Sequence, residues 1–265
     1  MNLYFDQSLS KGYKSNSQKI RVMSEKWVYE NMFCPCCGNS LCRFENNKPV
    51  ADFYCNECNE TFELKSKGKP LGRKITDGAY GTAINRINSN NNPDLFVLQY
   101  NNMFEVVNFL VIPKFFFTSN VIEKRKALGE NARRAGWVGC NILLENIPQQ
   151  GKISVINNGK VVDKNTVVNN YGKLEKLSID NTDKRRWLLD ILNCINLIKK
   201  QQFDLNDVYF FENQLSIIHP NNHNIKAKIR QQLQILRDKG FIEFLGNGKY
   251  VKTNDYYSTL QICSI

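Results

Sequence analysis

The apolar positions near the start of the chain repeat at helical spacing and then give way to cysteines. Three apolar residues fall three or four positions apart, namely Ile20, Met23 and Trp27. Because residues at this spacing share one face of a helix, they predict a helix over 17–31. Two strand-like runs, 49–54 and 61–65, then bracket a Cys-x-x-Cys pair. We expect them to form a hairpin that turns at this pair.

Further along, helical and strand-like patterns alternate. A helical pattern covers 77–87, and the runs LFVLQY and NFLVIP indicate buried strands bounded by Asn and Pro. The run ISVINNGKVV predicts a hairpin around Asn158 and Gly159. The pattern then becomes polar and loses its period between 166 and 182. Up to that point the mixture of helices and strands predicts an α/β or α+β domain.

Three helical patterns occupy the C-terminal part of the chain. Their apolar positions are Trp187, Ile191, Cys194 and Ile198; Val208, Phe211, Leu215 and Ile218; and Ile225, Ile229, Leu233 and Leu236. Gly240 is expected to cap the third helix, and FIEFLGNGKYVK predicts two short strands around a Gly-Asn-Gly tip. Three helices and a hairpin make a winged helix, which is an α+β fold. We therefore predict a first domain at 1–180, a winged helix at 181–253 and a tail at 254–265.

Composition adds a preference for nucleic acid. The 265 residues include 36 Lys and Arg against 25 Asp and Glu, a net charge of +11, which favours a polyanionic partner, although a solvated basic surface would look the same. We expect no membrane segment, because no run of about 18 uncharged apolar residues occurs. Six of the nine cysteines lie between Cys34 and Cys58, which suits metal ligation in a reducing compartment. We expect an intracellular, cytoplasmic protein.

The cysteine spacing predicts a zinc site. Two Cys-x-x-Cys pairs, Cys34 with Cys37 and Cys55 with Cys58, are separated by 17 residues, as in tetrahedral four-thiolate sites. Four protein ligands leave no open position, so the Zn²⁺ would be structural. Buried free cysteines are the alternative, and Cys36 could exchange with a neighbouring ligand.

The same hairpin carries the parts of a phosphodiesterase site. Side chains alternate faces along a strand, so Glu63 and Lys65 point to one side and Phe62 and Leu64 to the other. If the strands are antiparallel, Asp52 joins the Glu63 face. Asp52, Glu63 and the Leu64 carbonyl could then hold Mg²⁺, and Lys65 would orient or deprotonate the attacking water. An exposed strand with charges on its solvent face is the alternative.

No histidine lies near this hairpin in the sequence that could act as a catalytic base. The two histidines are His219 and His223, both in the C-terminal part of the chain. Their spacing of four residues suggests the surface of a helix cap and not a metal site, since no third ligand is apparent.

Several longer stretches resemble one known family. YKSNSQK, ENNKPVADFYCNEC, FELKSK, DGAYGT, ARRAGWVGCNI and IKAKIRQQLQILRDKGFIEFLGNGKY resemble, in the same order, segments of the DpnI-type (type IIM) methyl-directed restriction endonucleases. The resemblance runs from about Leu3 to Lys252. The chain departs from it at Cys36, Cys42, the KGKPLGRK segment and the tail from Thr253 onward.

The resemblance implies a PD-(D/E)xK nuclease domain with a zinc site, followed by a winged helix. It also implies cleavage of double-stranded DNA at GATC sites whose adenine carries a methyl group on its exocyclic nitrogen. The matching motifs give Asp52, Glu63 and Lys65 the catalytic roles and the same four cysteines the zinc. Trp137 takes the place of the tryptophan linked to sensing the methylated bases.

Recognition of the methyl group requires an apolar contact in the major groove, next to hydrogen-bonding groups that identify the base. Trp137 offers an apolar surface between Gly136 and Val138, and Arg133 and Arg134 could contact phosphates or guanine edges. Core packing is the alternative for the tryptophan. A second reader is the third C-terminal helix, for which a solvated face is the alternative. The candidate contacts of the winged helix are Asn222, His223, Asn224, Lys226, Arg230, Gln231, Gln234 and Lys249.

The leading hypothesis is a Mg²⁺-dependent type II restriction endonuclease specific for methylated GATC, with double-stranded DNA and no small molecule as its substrate. The alternative is a non-catalytic zinc and winged-helix regulator that binds methylated DNA. A nuclease for a differently modified site is a third reading. We expect a monomer, which would cut a palindrome by sequential nicking or transient pairing.

Overall fold

The computed structural model describes residues 1–45, 51–89 and 91–253. The α-helices are α1 (Asn16–Asn31), α2 (Tyr80–Asn88), α3 (Lys164–Glu175), α4 (Thr182–Leu197), α5 (Leu205–Tyr209), α6 (Glu212–Ile218) and α7 (Ile225–Asp238). The strands are β1 (Cys42–Arg43), β2 (Phe53–Tyr54), β3 (Thr61–Lys67), β4 (Lys74–Ala79), β5 (Asp94–Tyr100), β6 (Val106–Ile112), β7 (Ile122–Lys124), β8 (Gly139–Leu143), β9 (Ile153–Asn157), β10 (Lys160–Val161), β11 (Gln202–Asp204), β12 (Ile242–Gly246) and β13 (Lys249–Lys252). None of the helices in these ranges has the length and apolarity needed to cross a bilayer.

The described residues form two compact units. The first unit consists of 1–75, 91–114 and 151–175, and the second of 76–89, 115–150 and 176–253. Both units therefore draw on separated stretches of the chain, whereas the sequence suggested consecutive domains at 1–180 and 181–253. Those two boundaries stay predictions. The predicted tail at 254–265 and the start of the first hairpin strand at 49–50 lie outside the described residues.

The first unit contains a mixed sheet in the order β1-β2-β3-β5-β6-β9-β10. Strands β3 and β5 run parallel, while β2 and β3 pair in the antiparallel sense, with Phe53 opposite Phe62. The core of this unit is aromatic: the rings of Phe62 and Phe96 stack at 4.6 Å, and Trp27 of α1 lies 5.9 Å from Phe109. Burial of each such ring stabilises the fold by about 1.5–3 kcal/mol. This packing fixes α1 against the sheet.

The structure confirms the predicted first helix and the strands β5 and β6. It also confirms the hairpin of β2 and β3, which turns at the second Cys-x-x-Cys pair. The hairpin around Asn158 and Gly159 is also present as β9 and β10, with both turn residues at positive φ. Such a two-residue turn matches the twist of the flanking strands. The fold class is therefore confirmed for the N-terminal part of the chain as a mixed α/β domain.

The second unit contains two three-stranded sheets, β4-β8-β7 and β11-β13-β12. The predicted core positions of α7 are buried, and Gly240, with φ +81°, ends this helix through a hydrogen bond from its N–H to the Arg237 carbonyl. Strands β12 and β13 form the predicted wing hairpin. The third strand β11 was not predicted, because its sequence QFD is short and mostly polar. The C-terminal winged helix-turn-helix fold is confirmed.

Three local predictions were wrong. The helical pattern at 77–87 begins as the end of β4, and α2 starts only at Tyr80. The second C-terminal pattern is divided into α5 and α6. The stretch 166–182, in which no periodic apolar pattern was recognised, contains most of α3. The buried residues of this helix, Val167, Tyr171 and Leu174, do follow helical spacing, but the polar residues between them obscured the pattern.

His219 was expected at the surface and is buried instead. Its ring stacks on Trp187 with centroids 3.6 Å apart, and its Nε2 lies 2.8 Å from a carboxylate oxygen of Asp190. Sequence spacing gave no sign of this tertiary contact. His223 is exposed, as expected.

Candidate active site and DNA interface

The four predicted zinc ligands converge in the first unit. The Sγ atoms of Cys34, Cys37, Cys55 and Cys58 all lie within 4.8 Å of one another, and two pairs are 3.5 Å apart. Tetrahedral Zn–S bonds of about 2.3 Å require sulfur separations of about 3.8 Å. The cluster could therefore hold zinc, and it would join the end of α1 to the turn between β2 and β3.

Two thiols of this cluster have opposite tendencies. Burial raises the pKa of Cys34. Burial also acts on Cys37, but hydrogen bonds from the Asn39 backbone and side chain prevail and lower its pKa to about 7. The extra thiols lie outside the four-sulfur cluster: Cys36 is 3.7 Å from a Glu175 oxygen, and Cys42 accepts a hydrogen bond from Asn56.

The hairpin of β2 and β3 brings the predicted catalytic residues together. The carboxylate of Asp52 accepts a hydrogen bond of 2.7 Å from the Leu64 N–H, and the Asp52 N–H donates to the Phe62 carbonyl. The Nζ of Lys65 lies 2.6 Å from a carboxylate oxygen of Glu63. The hairpin register thus places Asp52 next to the Glu63–Lys65 pair.

The electrostatics of Asp52 favour a cation nearby. Burial raises the pKa of Asp52, and the charges of Glu25 and Glu63 add to this increase, while the Leu64 N–H and Lys65 oppose it. Two neighbouring carboxylates that repel the charged form of a third are relieved by a positive ion. This donor set of carboxylate and carbonyl oxygens is the type that Mg²⁺ prefers.

A cleft of about 410 Å³ opens at Asp52. Its lining joins the hairpin to α1: Asn16, Ser17, Ile20, Arg21, Ser24, Glu25, Asp52, Leu64, Ser66 and Tyr100. Sequence reasoning missed the contribution of α1. The spacing of four between Arg21 and Glu25 was a visible signal of an ion pair, but nothing local indicated that this pair faces Asp52.

The proposed methyl-reading loop lies in the second unit. Backbone hydrogen bonds between Leu128 and Trp137 and between Gly136 and Leu128 close this loop. The half-buried indole of Trp137 has the Arg134 guanidinium 4.6 Å from its ring centroid. On Gly139, a Cβ would come within 2.8 Å of the indole, so a larger residue there would force the ring to move. Arg133 is exposed.

The outward face of α7 is available to a partner. Its candidate contacts Lys226, Arg230, Gln231 and Gln234 are exposed, as are His223, Asn224 and Lys249, while Asn222 is half-buried. Tyr209 supports two of them: its hydroxyl accepts a 2.9 Å hydrogen bond from Arg230, and its ring lies below the Lys226 ammonium. Whether these residues contact DNA stays a prediction.

Together the fold and the cysteine cluster define a mixed α/β domain with a possible zinc site, followed by a helix-turn-helix domain. Comparison with known families agrees with this class. The Dam-replacing family of DpnI matches residues 1–180, and the Dam-replacing HTH domain matches residues 183–252.

The chain therefore belongs to the DpnI-type Dam-replacing family, and the resemblance seen in its sequence is confirmed. In general terms this makes it a methyl-directed restriction enzyme, a nuclease whose partner is DNA.

Proposed function

We propose that this protein is a Mg²⁺-dependent type II endonuclease that hydrolyses double-stranded DNA at GATC sites containing 6-methyladenine. The observation that carries the proposal is that Asp52, which lines the cleft, accepts the Leu64 N–H and lies close to the Glu63–Lys65 pair. The family membership supports methyl-directed cleavage. We further propose that the protein acts as a monomer inside the cell, in restriction defence.

The proposed catalytic residues would have different roles. Asp52, Glu63 and the Leu64 carbonyl would hold Mg²⁺, which supplies positive charge to the phosphate oxygens. The Leu64 N–H fixes the Asp52 carboxylate before any substrate binds. Lys65, whose ammonium is paired with Glu63, would orient the attacking water by donating a hydrogen bond to it, and would accept a proton from this water only after releasing its own. Preorganised groups of this kind need no rearrangement during the reaction.

Zinc at Cys34, Cys37, Cys55 and Cys58 would be structural, because four thiolates complete its coordination. It would keep the turn of the catalytic hairpin rigid. Trp137, Arg133 and Arg134 would recognise the methylated adenine, together with the exposed face of α7. Since one buried methyl contributes only about 0.8 kcal/mol, strong discrimination would need two methyl groups read together or a reading by both elements.

The test is cleavage of two otherwise identical plasmids, one methylated at every GATC adenine and one unmethylated, with Mg²⁺ or with EDTA. We expect cutting of the methylated plasmid alone, only with Mg²⁺, and none by the near-isosteric variant Asp52→Asn. Binding of methylated DNA that leaves it intact under every condition would instead identify a non-catalytic reader. Cutting of both plasmids would remove the proposed specificity.

A further inference from the structure

A second acidic group faces the cleft beside the proposed catalytic residues. Glu25 of α1 is buried, and each of its carboxylate oxygens binds a different arginine. The Nε of Arg21 lies 2.6 Å from one oxygen, and an Nη of Arg43 lies 2.8 Å from the other. We call these three residues the Glu25 clamp. Charge-assisted bonds of this length are strong.

The geometry leaves Arg21 accessible while it is held in place. Its side chain is 56% exposed, against 10% for Glu25, and it lines the cleft together with Asp52. The contact to Glu25 uses Nε, so the two terminal amino groups of Arg21 make no hydrogen bond to another described residue. These amino groups match two oxygens of a phosphate, a geometry that a lysine does not offer.

The charges around the cleft explain why a fixed arginine is needed. A phosphodiester that approaches Asp52 brings a negative charge toward three carboxylates, those of Glu25, Asp52 and Glu63. Lys65 is paired with Glu63, whereas Glu25 is shared by two arginines, so the clamp carries one positive charge in excess. Arg21 also interacts electrostatically with Asp52. The clamp is thus a source of attraction for a phosphate at this position.

We propose that Glu25 positions Arg21, with Arg43 as its second support, to bind a phosphate of the DNA backbone at the cleft that contains Asp52. Arg21 is then a phosphate-binding residue and Glu25 a positioning residue that acts through it. This inference rests on the proposed function, because the bound phosphate would orient the strand so that water can attack the scissile phosphate near Asp52. The alternative is that the clamp has only a structural role and stabilises the packing of α1 against β1.

The test compares the clamp with a matched ion pair on the same helix. Lys26 and Glu30 are also four residues apart, with their charged atoms at 2.8 Å, and they do not line the cleft. Five variants are compared with the parent protein: Arg21→Ala, Arg21→Lys, Glu25→Gln, Lys26→Ala and Glu30→Gln. Affinity for methylated duplex is measured in Ca²⁺ over a range of salt, and single-turnover cleavage in Mg²⁺.

We expect Arg21→Ala to reduce the slope of log affinity against log salt by about 0.9, the change for one lost phosphate contact. Its cleavage rate should fall ~10–100-fold, as misplacement of a substrate predicts. Glu25→Gln keeps the charge of Arg21 but loosens it, so its slope should stay and its rate should fall about tenfold. Arg21→Lys should restore the slope. Lys26→Ala and Glu30→Gln should behave like the parent protein.

The proposal is overturned if Arg21→Ala retains the parent slope and rate, or if Lys26→Ala loses as much slope. Thermal melting checks that each variant is folded, and if Glu25→Gln is not, the exposed Arg21 decides the matter. A parent protein that binds methylated DNA without cutting it would defeat the proposed function, but the salt slopes would still decide the clamp. A parent protein that does not bind DNA would overturn both.

Discussion

The two compact units differ in whether their functional side chains are paired with other side chains or exposed to solvent. In the first unit, the charged groups near Asp52 are held by one another: Glu63 by Lys65 and Glu25 by Arg21, both at 2.6 Å. In the second unit, the candidate reading residues are mostly exposed, with Gln234 and Lys249 pointing to solvent. Chemistry requires groups fixed before the substrate arrives, whereas recognition requires groups that a partner can reach.

This difference separates the expected effects of substitutions. Changes at Asp52 or Lys65 should slow cleavage and leave binding of methylated DNA largely intact, whereas a change at Arg21 should affect both, because Arg21 is proposed to contact a phosphate. Changes at the methyl-reading loop should alter the preference for methylated over unmethylated DNA and leave the cleavage rate at saturation unchanged. A variant of Asp52, of Lys65 or of the methyl-reading loop that mixes the two effects would break the comparison.

The largest effect is expected from removal of one zinc ligand. Cys55→Ser should abolish stoichiometric zinc binding and lower stability strongly, because a structural zinc site contributes on the order of 10 kcal/mol of folding free energy. Metal analysis and thermal melting check this. Cys42→Ser is the matched control, since Cys42 lies in the same region but outside the cluster. Equal zinc content and melting temperature in both variants would contradict the zinc site.

Next in size is the loss of the proposed general base or water-orienting group. Lys65→Ala should reduce single-turnover cleavage by ~10²–10⁴-fold, the range for a positioned proton-transfer group, with the affinity for methylated DNA nearly unchanged. Lys67→Ala is the control, because Lys67 lies two positions along β3 and therefore on the same face. A similar loss in the two variants would mean that general charge on the strand matters, and not the Glu63–Lys65 pair.

A third effect concerns a carboxyl group deep in the first unit. Asp94 is fully buried and accepts hydrogen bonds from the Lys114 N–H and the Tyr171 hydroxyl. Burial raises the pKa of Asp94 to about 7 in spite of these bonds. The charged form is therefore disfavoured in the folded protein. Below about pH 4 the carboxyl group is neutral in both the folded and the unfolded state, so its burial does not make the stability depend on pH there.

Between about pH 4 and pH 7 the unfolded chain ionises at this position and the folded chain does not. Asp94 should therefore make the protein less stable as the pH rises, by at most about 1.4 kcal/mol per pH unit. Asp94→Asn should remove this contribution, and denaturant unfolding across the range measures the difference from the parent. The exposed Asp183 provides the control variant Asp183→Asn, which should keep the parent's fall. An unchanged pH profile in Asp94→Asn would refute the assignment.

The parts of the molecule that the sequence predicted are those specified by local spacing. The cysteine pairs, the alternation in β3 and the apolar face of α7 each involve residues a few positions apart. The missed parts depend on contacts between distant residues. Glu25 meets Arg43 from another element, and His219 is buried because Trp187 and Asp190 of α4 receive its ring. No periodicity in the sequence reports such pairs.

The smallest effect, and the one that tests the second unit, comes from Gly139. Gly139→Ala would place a Cβ within 2.8 Å of the Trp137 ring, so the indole must move. If it senses methyl groups, the preference for methylated DNA should fall about fourfold for each methyl read, which corresponds to about 0.8 kcal/mol. Binding of methylated and unmethylated duplexes measures this, and cleavage at saturation should not change. Gly129→Ala is the control, because a Cβ there meets nothing within 4 Å. If the preference survives in Gly139→Ala while the thermal stability drops, Trp137 serves packing, and the reading of methylated bases must be assigned to α7 alone.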